Sequence, residues 1–539
     1  MMKHLWLFLC ISLGSMTAWA DPPKLIVQIT VDQLRGDLLQ RYQKNFINQG
    51  NRKGFNRFLQ QGTLYTNAHY RHALTLTAVG HATLATGALP SRHGVIANQW
   101  IDRQSGEPVY CTADASTQPL GFDGYSASPA NLDASTFADE LYFATRGNAK
   151  IFSVSLKDRG AVLTAGRLGK AFWMDKESGN MVSSSYYFDA LPDYVQGFNQ
   201  SGLKDNYLGK TWELSLPQHL YVNDAANRPF QIPPMGFSTG FPHQMPATND
   251  TGYYKLLGYS PYGDELTADF ARLLVEQHKL GKDDVTDYLS ISFSTNDYVG
   301  HQFGPNSLEA EDNLLHLDKT LADFFYFLDK QVGLNNVLLV LSADHGIDSI
   351  PEYKKSIGFG GFRSTFSESL TQLNQALSGQ FKVEGELIEK VQLPFLYLNH
   401  DLIAKQGLSA LQVEQVLATK TLELPGVAAA FTRTQLMTQS FAPDSIGAMV
   451  QNGYYPARSG DVVLVQNAST LINVKSATSH GSPYKYDTHV PLYFAGWNIR
   501  PRTISRQVSP EDLAVTLSVL LQISQPDKAT GKVLEEVLQ

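Results

Sequence analysis

The sequence predicts an α/β fold with buried parallel strands, and two observations indicate this class. Several short apolar runs rich in β-branched residues have the composition of central strands covered on both faces, and they span 24–31, 150–155, 285–293 and 336–341. A segment with helical periodicity separates the last two runs, so strand, helix and strand alternate there. This alternation is typical of βαβ units in a parallel sheet.

The N-terminal half of the chain contains two of these strands. After the strand over 24–31, apolar spacing predicts a helix over 37–61. The strand over 150–155 follows much later in the chain. From 171 to 260 the pattern loosens into sequence rich in Tyr, Pro and Gly, which we interpret as an insertion beside the core.

Regular alternation returns in the second half. A helix is predicted over 263–277, and another begins near Ser307 with leucines and phenylalanines at helical spacing. Residues 347–460 mix helix and strand signals, which indicates a second insertion. Strands over 461–465 and 489–494 and a helix over 511–521 close the chain. We therefore expect one catalytic domain over 21–539, with insertions at about 171–260 and 347–460.

The first twenty residues predict a secretory signal peptide. Lys3 and His4 precede an apolar run from Leu5 to Ile11, and Ala18-Trp19-Ala20 offers a cleavage site. The run is short for a membrane span, so we expect no stable membrane anchor. The mature chain would be periplasmic or secreted. It would keep only Cys111, so no internal disulfide can form.

Composition limits the partners of the chain. The 539 residues include 43 basic and 51 acidic side chains, for a net charge of -8, and no basic run is present. This charge pattern argues against a nucleic-acid partner. With 43% hydrophobic residues the chain can bury a sizeable core. The sequence leaves open whether the protein is a monomer or a homodimer.

The segment from His72 to Asn98 is rich in His, Thr and small residues. It predicts a loop that leads into a helix whose first turn carries Thr77. At a helix N-terminus, free backbone N–H groups and the helix dipole stabilise negative charge, which suits a nucleophilic oxygen. Because a threonine hydroxyl is a weak nucleophile, it requires a base or a metal ion to activate it.

Acidic and histidine side chains recur where predicted strands end. Asp32 follows the first strand, Asp297 and His301 follow the strand over 285–293, and Asp344 and His345 follow the strand over 336–341. Open α/β sheets place their sites at the carboxyl ends of the strands. Each residue taken singly has an ordinary interpretation, such as a helix cap for Asp32. Together, carboxylates and imidazoles suit zinc, in a number that fits two ions.

Three further side chains extend this group. His480 lies in a loop rich in Gly and Ser and adds one more imidazole. Lys157 and Arg159 lie two residues apart after the strand over 150–155. Their cations either point into one cleft or are solvated.

Taken in order, these segments resemble the alkaline phosphatase superfamily, and most closely its secreted bacterial alkaline phosphatases with a threonine nucleophile, which are near the nucleotide pyrophosphatase/phosphodiesterases. The resemblance covers most of the mature chain. It rests on Val31-Asp32-Gln33, Thr77-Ala78-Val79-Gly80-His81, Asn98, Lys157-Asp158-Arg159, Asn296-Asp297-Tyr298-Val299-Gly300-His301, Ala343-Asp344-His345-Gly346 and Thr478-Ser479-His480-Gly481. It implies a three-layer sandwich, with a mostly parallel central sheet, helices on both faces and inserted subdomains.

The resemblance also implies two Zn²⁺ ions and a set of site residues. The ligands of one zinc would be Asp297, His301 and His480. The ligands of the other would be Asp32, Asp344 and His345, together with the oxygen of the nucleophile Thr77. The residues that contact the phosphate oxygens would be Asn98, Lys157 and Arg159.

Three other histidines lie in or near these motifs. His489 is a rival to His480, but the family carries this ligand in a Thr/Ser-His-Gly turn, and His489 is expected to start the last strand. His81 and His93 are expected to be structural and to pack the nucleophile helix and the turn that follows it.

The implied function is a metal-dependent alkaline phosphatase that hydrolyses small-molecule phosphate monoesters through a phosphothreonine intermediate. The alternative is a phosphodiesterase or nucleotide pyrophosphatase that uses the same site. The cations Lys157 and Arg159 favour monoesters, which present more charged oxygens than diesters. A sulfatase is disfavoured because Cys111 lacks the Cys/Ser-x-Pro-x-Arg context of those enzymes. A binding protein without turnover is disfavoured because every catalytic position is filled.

Overall fold

A ten-stranded sheet forms the centre of the computed structural model, which describes residues 21–472 and 474–538. The predicted signal peptide lies outside the described residues. Across the sheet the strands follow the order Arg502–Ile504, Thr63–His69, His489–Gly496, Val337–Ser342, Leu25–Val31, Asp287–Phe293, Ile151–Ser155, Lys170–Met174, Met181–Ser184 and Pro119–Leu120. The four strands predicted from apolar runs lie side by side at its middle.

These central strands run parallel. Leu25–Val31 pairs in parallel with Asp287–Phe293 on one side and with Val337–Ser342 on the other. Ile151–Ser155 continues the parallel arrangement. The strand predicted over 489–494 forms as His489–Gly496 and pairs antiparallel with both of its neighbours. It is not the last strand, because Arg502–Ile504 follows it in the chain and joins the edge of the same sheet.

Helices cover both faces of the sheet, as predicted. Alternate residues of the first strand belong to different cores, since Val27 packs with one layer of helices and Ile26 with the other. The first layer contains Leu38–Tyr42, Phe55–Gln61, Tyr262–His278, Thr295–Phe303 and Leu308–Gln331. The second contains Thr77–Thr86, Phe137–Ala144, Asp158–Ala165 and Asp512–Leu520. The sheet and its two helical layers form the three-layer sandwich.

The single helix predicted over 37–61 is wrong in its middle. The chain forms Leu38–Tyr42, a 3₁₀ turn over Gln43–Asn45 and then Phe55–Gln61. Gly50 has a φ of 55°, and Gln49 and Arg52 form an isolated bridge. The run of Asn, Gln and Gly between the two helices favours this turn, whereas the apolar spacing across it does not continue one helical face.

The segment over 171–260 begins inside the main sheet. Its first strands, Lys170–Met174 and Met181–Ser184, extend one edge. Beyond them lie Asp193–Gln200 and Thr251–Leu257 as helices, with Thr211–Trp212 paired to His243–Gln244. The boundaries of this insertion stay a prediction.

The segment over 347–460 builds most of a second, four-stranded sheet in the order Ile388–Gln392, Phe395–Leu398, Val462–Gln466 and Val427–Thr432. The predicted strand over 461–465 therefore joins this smaller sheet. The accompanying helices are Pro351–Ser356, Ser367–Phe381, His400–Lys405, Ala410–Thr421, Arg433–Thr438 and Ile446–Asn452. Two short strands, Phe362–Ser364 and Thr470–Ile472, pair in parallel.

The described fold also contains a short hairpin and two single-turn helices. Gln99–Ile101 and Pro108–Tyr110 form an antiparallel hairpin. Two single-turn helices cover Pro90–His93 and Lys485–Thr488. Among the described residues, no helix has the length and apolar character needed to cross a bilayer.

Candidate active site

The helix that carries the candidate nucleophile begins at Thr77, as predicted, and extends to Thr86. Leu76 is extended and every residue of the helix is buried. A β-carbon on Gly80 would lie 2.0 Å from the carbonyl oxygen of Asp344. Glycine at this position therefore allows the helix to approach the end of the strand Val337–Ser342, which brings Thr77 close to the acidic side chains there.

The three predicted carboxylates meet at one edge of the sheet. Asp32 follows Leu25–Val31 directly, Asp344 lies two residues beyond Val337–Ser342, and Asp297 lies in the first turn of Thr295–Phe303. The strands that precede them are adjacent and parallel. All three side chains are buried. Parallel pairing thus gathers residues that are hundreds of positions apart in the chain.

One candidate metal group consists of Asp297, His301 and His480, whose ligand atoms all lie within 4.8 Å of one another. The Nδ1–H of His301 donates to the Thr478 carbonyl at 2.9 Å, and the Nδ1–H of His480 donates to the Thr75 carbonyl at 2.7 Å. Both rings therefore keep the Nε2 lone pair for a ligand, the arrangement that backbone acceptors commonly impose on metal-binding histidines.

A second group lies beside Thr77. The Nε2 of His345 is 3.5 Å from the Thr77 Oγ1 and 3.3 Å from the Asp344 Oδ2, while its Nδ1–H donates to the Gly346 carbonyl at 3.0 Å. The Oδ2 of Asp344 is buried and accepts no hydrogen bond from the described residues. An unpartnered buried carboxylate oxygen of this kind fits a cation ligand.

His81 also reaches this group. Its Nε2 lies 3.2 Å from the Asp32 Oδ1 and 3.8 Å from the Asp344 Oδ2, so that His81, Asp32 and Asp344 form a cluster with metal-ligand spacing. The Ser292 hydroxyl donates to the same Asp32 Oδ1 at 2.8 Å. From the sequence, His81 is expected only to pack the nucleophile helix. Its position four residues after Thr77, on the same helix face, was the available signal.

Gln33 is a second residue that sequence reasoning missed. Its backbone N–H donates to the Asp344 Oδ1 at 2.9 Å, and its side-chain amide donates to the Asp297 Oδ1 at 2.7 Å. Gln33 thus links the two carboxylates from its place immediately after Asp32. No composition or spacing signal distinguishes it from an ordinary polar residue.

Lys157 lies between the two groups. Its Nζ is 2.5 Å from the Asp297 Oδ2 and 3.0 Å from the Asp32 Oδ2, and its side chain is 1% exposed. Burial opposes the charge of the ammonium, but the two carboxylates raise the pKa of Lys157. Burial likewise opposes the charge of Asp297, and Lys157 and His301 hold the pKa of this carboxyl well below its usual range. Lys157 therefore stays a cation.

Burial and neighbouring charges act on the other ligand candidates. Burial opposes the charge of His301, but Asp297 raises the pKa of this ring. For the next three groups the effect of burial dominates. It lowers the pKa of His345 to about 3 and, with the neighbouring His345 and His301, holds the pKa of His480 well below its ordinary value. It raises the pKa of Asp344, with a further contribution from the charge of Asp32. Neutral imidazoles are the form that binds metal.

Of the two remaining substrate-contact candidates, Asn98 directly precedes the strand Gln99–Ile101 and Arg159 lies in the first turn of a helix. The Asn98 Oδ1 accepts a hydrogen bond of 2.9 Å from the N–H of Ala78, next to Thr77, which leaves the side-chain NH₂ of Asn98 to donate elsewhere. Arg159 follows Lys157 in the first turn of Asp158–Ala165, and its Nη1 donates to the Tyr110 hydroxyl at 3.2 Å.

His489 and His93 have partners away from the carboxylates. His489 stacks on His69 with ring centroids 4.7 Å apart, and its Nε2 contacts the Thr66 carbonyl at 2.9 Å. His93 contacts the Thr83 hydroxyl of the nucleophile helix at 3.2 Å and accepts from the N–H of Val95.

The sequence and the fold place the chain among known proteins. Residues 26–490 match the family described as type I phosphodiesterase / nucleotide pyrophosphatase, and the chain belongs to this family, within the alkaline phosphatase superfamily. Alkaline phosphatase PhoV of Synechococcus elongatus is 35% identical over 96% of this chain and 93% of its own length. Alkaline phosphatase PafA of Elizabethkingia meningoseptica is 34% identical over 98% of this chain and 96% of its own.

A crystal structure of wild-type PafA covers 96% of this chain and 100% of that protein, with a TM-score of 0.88. This similarity confirms the predicted fold class. The relatives extend over nearly the whole chain, and they identify it as an enzyme, a phosphatase of the alkaline phosphatase superfamily.

Proposed function

We propose that the chain is an exported, zinc-dependent alkaline phosphatase that hydrolyses phosphate monoesters through a covalent phosphothreonine at Thr77. The observation that carries this proposal is the Thr77 hydroxyl, which lies at a helix N-terminus and 3.5 Å from the Nε2 of His345, beside two groups of metal-ligating side chains. Candidate metal ligands lie beside this hydroxyl, so the proposed mechanism requires no histidine–aspartate relay.

The donor set fits zinc. Imidazole nitrogens held by backbone carbonyls and buried carboxylate oxygens are the ligands zinc prefers. We assign one ion to Asp297, His301 and His480, and a second ion to Asp32, Asp344, His345 and the Thr77 oxygen. When bound, two such ions lower the pKa of the nucleophile and neutralise charge on the attacking and leaving oxygens.

The side chains of the protein perform the remaining work. The Thr77 hydroxyl gives its proton to solvent, and its Oγ1 attacks phosphorus in line. A Thr–O–P bond forms as the bond from phosphorus to the leaving oxygen breaks, and the leaving alkoxide takes a proton from solvent. Water then attacks the phosphothreonine, which releases inorganic phosphate and restores the threonine hydroxyl. Asn98, Lys157 and Arg159 donate to the non-bridging oxygens, so the reaction relies on positioning and charge neutralisation.

A solved variant of PafA supports these assignments. In it a threonine, an asparagine, a lysine and an arginine are replaced, in the order of Thr77, Asn98, Lys157 and Arg159 and with the same spacing within each pair; its TM-score to this chain is 0.90 at 33% identity. The names of the relatives PafA and PhoV support alkaline phosphatase activity.

Phosphodiester hydrolysis is the second candidate, because the matched family is named for phosphodiesterases and nucleotide pyrophosphatases. The cations favour monoesters. A diester carries a single negative charge. A buried lysine and an arginine offer more positive charge than such a substrate requires.

Export is proposed on the signal peptide predicted over 1–20, and the protein recovered from the periplasm should begin at Asp21.

The test uses the purified mature chain, loaded with zinc, and 4-nitrophenyl phosphate as substrate. Thr77→Ala should abolish turnover, whereas Thr77→Ser should retain part of it, because the serine keeps the hydroxyl. An acid quench with ³²P-labelled substrate should place label on Thr77, and a chelator should stop turnover until zinc is returned. Turnover by Thr77→Ala, or label on another residue, would exclude the mechanism.

A further inference from the structure

Asp158 accepts hydrogen bonds from a set of three hydroxyl groups next to the candidate phosphate site. This carboxylate is 8% exposed. Its Oδ1 accepts from Tyr110 at 2.9 Å, and its Oδ2 accepts from Tyr125 at 3.2 Å and from Thr112. Three hydroxyl donors fix the carboxylate and give each hydroxyl a defined direction.

Tyr110 alone among these hydroxyls also contacts Arg159 in the described structure. Because its O–H hydrogen is donated to Asp158, the oxygen lone pairs are available, and the Arg159 Nη1 donates to this oxygen at 3.2 Å. The Arg159 Nε is buried and has no hydrogen-bond partner among residues 21–472 and 474–538. One edge of the guanidinium is thus held while a buried donor is left for another ligand.

The backbone connects this contact to Asn98. Tyr110 ends the hairpin formed by Gln99–Ile101 and Pro108–Tyr110, which begins directly after Asn98. Gln99 and Tyr110 are paired across it, and the N–H of Cys111 donates to the Asn98 carbonyl at 3.0 Å. The same hairpin therefore fixes the backbone of Asn98 and the hydroxyl that holds Arg159.

We infer that Tyr110 is a positioning residue that orients the guanidinium of Arg159 toward the anionic oxygen that a phosphate monoester has and a diester lacks. Tyr110 thereby contributes to the preference for monoesters over diesters. The inference rests on the proposed function of Arg159. An arginine side chain has several rotatable bonds, and a hydrogen bond that fixes one edge of its planar fork reduces the freedom lost when it binds an anion. Tyr110 itself is not a catalytic residue, because it acts through Arg159.

The chain supplies a matched control. Tyr110→Phe removes the hydroxyl on Arg159, whereas Tyr125→Phe makes the same chemical change at the same carboxylate without touching Arg159. We expect Tyr110→Phe to lower kcat/KM for 4-nitrophenyl phosphate about tenfold, the effect of one hydrogen bond to a charged group, and to weaken inhibition by inorganic phosphate similarly. For bis(4-nitrophenyl) phosphate, and for Tyr125→Phe with either substrate, the change should stay within about twofold.

A double-mutant cycle separates positioning from a general structural effect. In an Arg159→Ala background, Tyr110→Phe should cause no further loss of monoester kcat/KM beyond about twofold, because its partner is gone. A tenfold loss in both backgrounds, equal losses on both substrates, an equal loss from Tyr125→Phe, or no loss from Tyr110→Phe would each overturn the inference. If Arg159→Ala alone retained full monoesterase activity, the proposed role of Arg159 would fail first, which is a distinct result.

Discussion

Replacing Lys157 by methionine should destabilise the metal-free protein much more than the zinc-loaded protein. In the structure, the ammonium lies 2.5 Å from the Asp297 Oδ2 and 3.0 Å from the Asp32 Oδ2, with 1% of the side chain exposed. Removing one partner of a buried charge cluster costs about 3–5 kcal/mol, since carboxylates are then left unpaired. Protonation of a carboxylate relieves part of this, so we expect a loss of about 3 kcal/mol without metal. With zinc bound, the ions supply the positive charge, and the loss should fall below about 1 kcal/mol.

The assay is urea unfolding at pH 8, followed by intrinsic fluorescence, with zinc and with a chelator. Lys176→Met is the matched control, because both ammonium groups lie over the Tyr298 ring, at 4.8 Å for Lys157 and 5.1 Å for Lys176. The control should change the free energy of unfolding little in either state. Equal losses for Lys157→Met with and without zinc would refute the reasoning, as would no loss in the metal-free protein.

Three further outcomes are expected. Arg159→Ala should lower monoester kcat/KM about a hundredfold and diester kcat/KM less than about tenfold, because only the monoester presents the additional charged oxygen. Steady-state kinetics with both substrates check this, and equal losses would argue against monoester preference. His480→Asn should halve the zinc content measured by mass spectrometry, whereas His489→Asn should leave it unchanged, since His489 stacks on His69; zinc loss in His489→Asn would reverse the ligand assignment. Burial, with the charge of His489, lowers the pKa of His69 from 6.5 to about 4. As the pH falls, the unfolded chain therefore binds a proton at His69 before the folded chain does, and stability is lost from about pH 7 towards pH 4. The ring is partly exposed, which reduces the size of the effect. In urea unfolding, the free energy of unfolding of His69→Gln relative to wild type should therefore rise by about 1 kcal/mol between pH 8 and pH 5. A difference that stays constant over this range would contradict the prediction.

The central strands and the edge where they end could be predicted from sequence for a physical reason. A strand covered on both faces must be apolar throughout, so runs such as Leu25–Val31 are conspicuous. A charged residue that follows such a run, as Asp32 does, is then an exception that requires an explanation. Parallel pairing makes the ends of these strands neighbours, which is why residues far apart in the chain could be assigned to one site.

Other features depend on contacts that local sequence does not encode. The antiparallel direction of His489–Gly496 leaves no trace in a run that is buried on both faces. The strand Val462–Gln466 has the same apolar character as the central strands, yet it pairs in the smaller sheet. His81 reaches the carboxylates only because the nucleophile helix approaches the strand ends, a closeness that Gly80 permits. Gln33 reaches Asp344 and Asp297 from the end of the first strand, because the strands that precede those two carboxylates pair with it.

The most direct test of the account is anomalous diffraction at the zinc edge from crystals of the zinc-loaded protein. We expect two zinc peaks per chain. The residues around the first should be Asp297, His301 and His480. The residues around the second should be Asp32, Asp344, His345 and the Thr77 Oγ1. A single peak, or two peaks that both lie beyond bonding distance of the Thr77 oxygen, would contradict the assignment of Thr77 as the metal-activated nucleophile.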